Sequence, residues 1–202
     1  MHRLDPVIAE LAADPRIVEP VSQILGSEVY VHQSRVNLKP GFTGKDFYWH
    51  SDFETWHAED GMPRMRALSV SVSLTENHEW NGSLMVVPGS HLKFVGCAGE
   101  TPEGHYRQSL RDQEYGVPSR EALTRLVAEG GIHQVTGAPG SAVLFDCNVM
   151  HGSNGNITPF ARRNVFLVYN SVENALVEPF AAPGRRPEFI ASREARPLGA
   201  TA

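Results

Sequence analysis

The sequence predicts a mainly β fold, a sandwich or barrel of short strands, with helices at its front and one helix inserted later. Three observations carry this expectation. The apolar period changes from helical to two near Glu28, and Gly- and Pro-containing turns then cut the chain into many short runs. Strands do not alternate with helices of 10–15 residues, as a βαβ fold would require. At 202 residues, 41% hydrophobic and 20% charged, the chain reads as one domain over residues 1–202 with a single core.

Two short helices are expected over residues 5–25. Asp5-Pro6 and Asp14-Pro15 each place an N-cap carboxylate before a proline at the first helical position. Ile17, Val21, Ile24 and Leu25 form an apolar stripe that Gly26 ends, and Pro20 limits the regularity of this helix. From Glu28 a strand follows. Its alternation puts Tyr30, His32, Ser34, Val36 and Leu38 on one face and Val31, Gln33, Arg35, Asn37 and Lys39 on the other. Pro40-Gly41 turns the chain, and an aromatic-rich extended segment is expected from Phe47 to Trp56. Leu68, Val70, Val72 and Leu74 alternate with Ala67, Ser69, Ser71 and Ser73, the clearest strand pattern in the chain. Shorter strands are expected at Ser83–Val87, Ser141–Cys147 and Asn164–Val172, and a helix from Ser119 to Gly130-Gly131. Residues 96–117 lack apolar periodicity and suit a mobile loop or lid.

Composition narrows the function classes. A formal charge of −5 argues against nucleic acid or a membrane surface as partner, since both usually demand a basic patch. No apolar run approaches the roughly 18 residues of a membrane span, and the start has no signal-peptide pattern. Two cysteines, Cys97 and Cys147, are too few for a disulfide scaffold, so a cytoplasmic location is the default. Nine histidines stand out, mostly in polar, aromatic-rich stretches.

The chemistry concentrates in Phe47-Tyr-Trp-His50-Ser-Asp52-Phe-Glu-Thr-Trp56-His57. In an extended strand His50 and Asp52 point to one face, where an imidazole and a carboxylate can share an edge of a metal's coordination sphere. His151 follows the apolar run Ala142–Phe145 and precedes a Gly/Ser/Asn turn, a position that suits a third ligand. Two histidines and one carboxylate form the facial triad of non-haem Fe(II) oxygenases. Eleven residues on, Arg162 opens another strand, where a guanidinium fork can bind a carboxylate end-on. Arg162 and Asn164 share strand parity and are expected inside, with Arg163 outside. Pro88-Gly89-Ser90-His91 reads as a tight turn, and His91 as a turn residue rather than a ligand.

The G-x-L-x-x-x-P-G-S-H run, the H-x-D pair and the distal His with Arg eleven residues later resemble the phytanoyl-CoA dioxygenase superfamily of Fe(II)/2-oxoglutarate oxygenases. Within it, FYWHSDFETWHAEDGMPRMRALS is similar to the ectoine hydroxylases, and the resemblance extends over roughly residues 15–195. It implies a double-stranded β-helix of jelly-roll or cupin-like type, with iron bound by His50, Asp52 and His151. It implies further that Arg162, Ser153, Phe47, Asn37 and Arg35 line the 2-oxoglutarate site. Gln33, Trp56, Phe145 and Asn164 would hold ectoine, and Thr55 or an arginine of Arg185-Arg186 would assist. The implied reaction is O2-dependent hydroxylation of ectoine to 5-hydroxyectoine, a compatible solute. Hydroxylases of this kind carry a further N-terminal segment, so the resemblance implies a shortened chain whose exposed strand edges favour self-association, a homodimer included. Two other readings stay open: a sister oxygenase of another small zwitterion or amino acid, and a non-enzymatic cupin-like domain that binds a metal or small molecule.

Overall fold

The front helices begin where their caps place them. In the computed structural model, which describes residues 1–96 and 117–199, α1 spans Pro6–Ala13 and α2 Pro15–Leu25. The Asp5 carboxylate accepts from the amides of Val7 and Ile8, and Asp14 from that of Arg16. Gly26, at φ +63°, ends α2 in the left-handed conformation. Pro20 lies inside α2 without breaking it.

Among the described residues eight strands follow: β1 (Val29–Lys39), β2 (Phe47–His50), β3 (Ala67–Ser73), β4 (Leu84–Val86), β5 (His133–Gln134), β6 (Ala142–Asp146), β7 (His151–Ser153) and β8 (Arg162–Ser171). They form two antiparallel four-stranded sheets among the described residues, ordered β1-β8-β3-β6 and β2-β7-β4-β5. A short helix α3 (Asp52–Thr55), continued by a π-helical turn to Asp60, follows β2, and α4 (Arg120–Gly130) precedes β5. The architecture is mainly β with flanking helices, a jelly roll of cupin-like type.

One face of the larger sheet buries the helices. Ala12, Ile17 and Val21 pack on Val29, Val31, Leu68, Val70, Val72, Val165 and Leu167. Burying each such side chain contributes roughly 1.5–3 kcal/mol. The other face turns to the second sheet, with Leu84 of β4 against Phe145 and Phe166. Ser69, Ser71 and Ser73 of β3 lie on this inner face, register partners of Val168, Phe166 and Asn164. Hence the Val/Ser alternation separates a helix-covered face from a cavity-facing one.

Three expectations change. β1 carries an irregularity between Val31 and Gln33, so Val31 opposes Tyr169 while Gln33 opposes Val168. His32 is the extra residue of a β-bulge, which reverses the faces across it. Val31 therefore packs with the helices, and Tyr30 shares the inner side with Gln33, Arg35, Asn37 and Lys39. The extended segment from Phe47 ends at His50 rather than Trp56. Asp52 and Glu54 favour a helix start, their negative charges lying in its first turn. His151 does not close the preceding strand but opens its own, β7. The lid expected at 96–117 lies, apart from its end residues, outside the described residues.

Candidate metal centre and its cavity

Three different local structures bring His50, Asp52 and His151 together. His50 is the last residue of β2, Asp52 opens α3 two residues later, and His151 is the register partner of His50 on β7. Their ligating atoms lie within 4.8 Å of one another, and all three residues are buried. His50 Nε2 is 3.8 Å from Asp52 Oδ1, and His151 Nε2 is 3.8 Å from Asp52 Oδ2. These separations are too long for hydrogen bonds. They suit ligands of one ion, because two atoms each about 2.1 Å from a metal lie at most about 4.2 Å apart.

Tautomers follow from the partners on the far side of each ring. His50 Nδ1 is 2.8 Å from the Tyr48 carbonyl, and His151 Nδ1 is 3.0 Å from that of Val149. A carbonyl only accepts, so each Nδ1 carries the proton and each Nε2 presents a lone pair to the shared point. Burial lowers the pKa of His50 to about 3, and a second proton there would also face the neighbouring His151 ring and the charge of Arg35. Burial pushes the Asp52 carboxyl up, but His151, Arg35, His50 and a Ser69 hydrogen bond outweigh it and hold the group below its ordinary value. A neutral imidazole beside an ionised carboxylate is what a divalent cation requires. The donor set fits one ion.

A cavity of about 360 Å3 opens beside these ligands, with His50 and His151 in its lining. Along it stand Arg35, Asn37, Phe47, Ser153 and Arg162, so the structure gathers all five residues expected to line a cosubstrate site. Arg162 is buried at the start of β8 and donates from Nη2 to Asn37 Oδ1 at 2.7 Å; its Nε has no partner among the described residues. Asn164 is buried on the same side and Arg163 is exposed. Phe47 meets His50 edge-on at 4.7 Å, and Arg35 lies 5.1 Å from the Phe166 ring centre.

The residues expected to hold a substrate are more dispersed. Phe145 packs 5.2 Å from the His151 ring, and Asn164 donates to Ser71 Oγ while its Oδ1 is buried without a partner among the described residues. Gln33 accepts from Arg35. Trp56 is 2% exposed, packs edge-on against His32 and does not line the 360 Å3 cavity. Thr55 closes α3, half-buried. Of the two adjacent arginines, Arg186 is the inward one: its Nε and Nη2 clasp Asp60 at 2.7 and 2.6 Å, whereas Arg185 pairs with exposed Glu178. His91 sits exposed in the turn Ser90–Leu92 and is not among the clustered ligands.

Sequence reasoning overlooked Lys39. Its ammonium is buried beside the cavity, donating to Ser153 Oγ at 2.8 Å and to the Asn154 carbonyl at 2.6 Å. Gly82, at φ +77°, leaves room for its methylene chain, since a Cβ there would strike Lys39 Cδ. Burial, and then the charge of Arg162, lowers the lysine pKa to about 8. The available signal was its shared strand face with Gln33, Arg35 and Asn37.

Comparison with known proteins adds to this geometry. A family model described as phytanoyl-CoA dioxygenase (PhyH) matches residues 1–164. The chain is 62% identical, over 98% of its length, to the ectoine dioxygenase of Streptomyces anulatus, of which it covers 67%. It is 61% identical to that of Bordetella bronchiseptica, of which it covers 66%. Structures of EctD from S. alaskensis superpose over 98% of the chain: one with 2-oxoglutarate and 5-hydroxyectoine at a TM-score of 0.85 and 54% identity, and one with bound Fe at 0.82 and 52%. The chain covers 63% and 64% of those two structures, and about two thirds of the length of the curated relatives.

Proposed function

The chain belongs to the phytanoyl-CoA dioxygenase family, and on that premise we propose that it is an Fe(II)- and 2-oxoglutarate-dependent dioxygenase hydroxylating ectoine to 5-hydroxyectoine in the cytoplasm. One observation carries the reading: a buried His-Asp-His set opens onto a cavity whose walls hold the cationic side chains Arg162 and Arg35, with Lys39 beside them. His50, Asp52 and His151 hold the metal. When bound, iron supplies the O2-dependent decarboxylation of 2-oxoglutarate to succinate and CO2, with the second oxygen atom entering a substrate C–H bond.

The remaining steps belong to the chain's own residues. Arg162 holds the distal carboxylate of 2-oxoglutarate, and Ser153 offers its hydroxyl proton there, since Lys39 already fills an acceptor position on Ser153 Oγ. Asn37 fixes the guanidinium through its 2.7 Å bond, and Phe47 and Arg35 close the wall near His50. Asn164 Oδ1, without a partner among the described residues, orients a polar group of ectoine, and Phe145 beside His151 bounds that end of the site. A sensing domain that merely bound metal would leave buried Arg162 and Lys39 without a purpose.

Anaerobic titration tests the reading. Protein loaded with Fe(II) should develop a visible charge-transfer band on addition of 2-oxoglutarate, and ectoine should perturb it. A band indifferent to ectoine but responsive to another zwitterion would assign a different substrate.

A further inference from the structure

The Pro88-Gly89-Ser90-His91 turn takes no part in this chemistry, yet it grips the chain just ahead of a metal ligand. Ser90 Oγ accepts from the Met150 amide at 2.8 Å and donates to the Val87 carbonyl at 2.7 Å, so its one proton is committed. Val87 in turn donates its amide to the Met150 carbonyl at 2.9 Å. His151 is the next residue. Two positions before Met150, Asn148 is 2% exposed, and its carboxamide joins three segments. Nδ2 spends both protons on the carbonyls of His91 and Lys93, at 2.9 and 3.2 Å. Oδ1 accepts from Ser51 Oγ at 3.1 Å. Ser51 lies between His50 and Asp52 and occupies the N-cap of α3, but its hydroxyl makes no capping bond to that helix. The Phe53 amide instead donates to the Cys147 carbonyl at 2.9 Å, so the turn before β7 also caps α3.

We propose that Asn148, assisted by Ser90, is a positioning residue of the metal centre: its carboxamide locks the His50–Asp52 corner, the chain leading into His151 and the Pro88–Leu92 turn to one another. The three ligands come from separate elements, so their mutual distances depend on whatever ties those elements together. Asn148 is a buried side chain that bonds to Ser51, the residue between two of the ligands, and to the carbonyls of His91 and Lys93 at the end of the turn that clamps the third. By reciprocity, a metal that tightens the ligands also tightens residues 90–93. This inference rests on the reading of His50, Asp52 and His151 as a metal site.

The test uses cobalt(II) as probe on the full chain, comparing the unaltered protein with Asn148→Ala, Ser90→Ala and Val72→Ala. Val72 is buried on the helix-covered face, so its truncation destabilises the fold without touching the hub. Asn148→Ala should weaken cobalt binding about 10-fold and alter the ligand-field spectrum. Ser90→Ala should do so less, and Val72→Ala should bind like the unaltered protein. Cobalt should slow amide exchange in residues 88–95 of the unaltered protein and not of Asn148→Ala. Cobalt affinity and spectrum unchanged in a folded Asn148→Ala overturn the proposal; should that variant not fold, unchanged values in Ser90→Ala overturn it. An unaltered protein that binds no cobalt defeats the metal-site reading, and this inference with it.

Discussion

Lys39 and Arg162 are direct register partners at the open end of the β1–β8 ladder, two buried cations side by side on the inner face. Like charges opposite one another in a sheet ordinarily destabilise it. Here Lys39 donates to Ser153 and Asn154, and Arg162 to Asn37, so neither is neutralised by these bonds. The arrangement favours a bound dianion, which 2-oxoglutarate is.

The lysine makes cosubstrate binding pH-dependent. Its pKa of about 8 means that it loses its charge above that pH, while Arg162, lowered by burial to about 10, stays protonated. A bound carboxylate favours the charged lysine. Affinity for 2-oxoglutarate should therefore be full below pH 8 and fall above it, approaching 10-fold per pH unit. Calorimetric titration between pH 6.5 and 9.5 reads this, and Lys39→Met should bind more weakly and with a flatter profile. The stability of the ligand-free protein carries the opposite sign. Folding penalises the charged lysine, so its contribution rises as pH goes from about 8 to 10.5 and is absent from Lys39→Met.

Arg162 supplies the fork that a lysine cannot. Truncating one member of a buried charge pair costs roughly 2–5 kcal/mol of binding. Arg162→Ala should weaken 2-oxoglutarate at least ~30-fold, and Arg162→Lys by less, since it keeps the charge but loses the two parallel bonds. A 2-oxo acid lacking the distal carboxylate should bind both variants and the unaltered protein alike. Competition binding on the metal-loaded protein measures all three.

The bulge at His32 turns its imidazole inward, with Nε2 3.2 Å from Asp60 Oδ2 and both side chains fully buried. Burial pushes the Asp60 carboxyl up, but Arg186 and His32 outweigh that and hold it below the ordinary range. Removing the carboxylate strands the Arg186 guanidinium, so Asp60→Ala should cost roughly 3–5 kcal/mol in urea unfolding. A loss under about 1 kcal/mol would mean that Glu59, 3.5 Å from Arg186, suffices as its partner.

Much of this was legible in the sequence for physical reasons. The Asp-Pro caps, the Val/Ser alternation of β3 and the parity of Arg162, Arg163 and Asn164 each follow from local stereochemistry. The metal ligands were legible from residue type, although the strand geometry assumed for His50 and Asp52 was not. Aromatic enrichment around Trp49 and Trp56 outweighed the helix-start signals of Ser51, Asp52 and Glu54. A bulge leaves the alternation of residue types intact, so His32 gave no sign that the faces exchange there. β7 is three residues long, too short for any period to register. Asn148 and Ser90 bond mostly to backbone carbonyls and amides, partners that side-chain spacing does not reveal.

The most direct measurement follows ectoine, succinate and 5-hydroxyectoine in air with Fe(II) and 2-oxoglutarate present. The account predicts that succinate and 5-hydroxyectoine appear together, one for one, only with ectoine and iron present, and that Asp52→Ala forms neither. A folded protein that binds Fe(II) and 2-oxoglutarate yet leaves ectoine unchanged would contradict it.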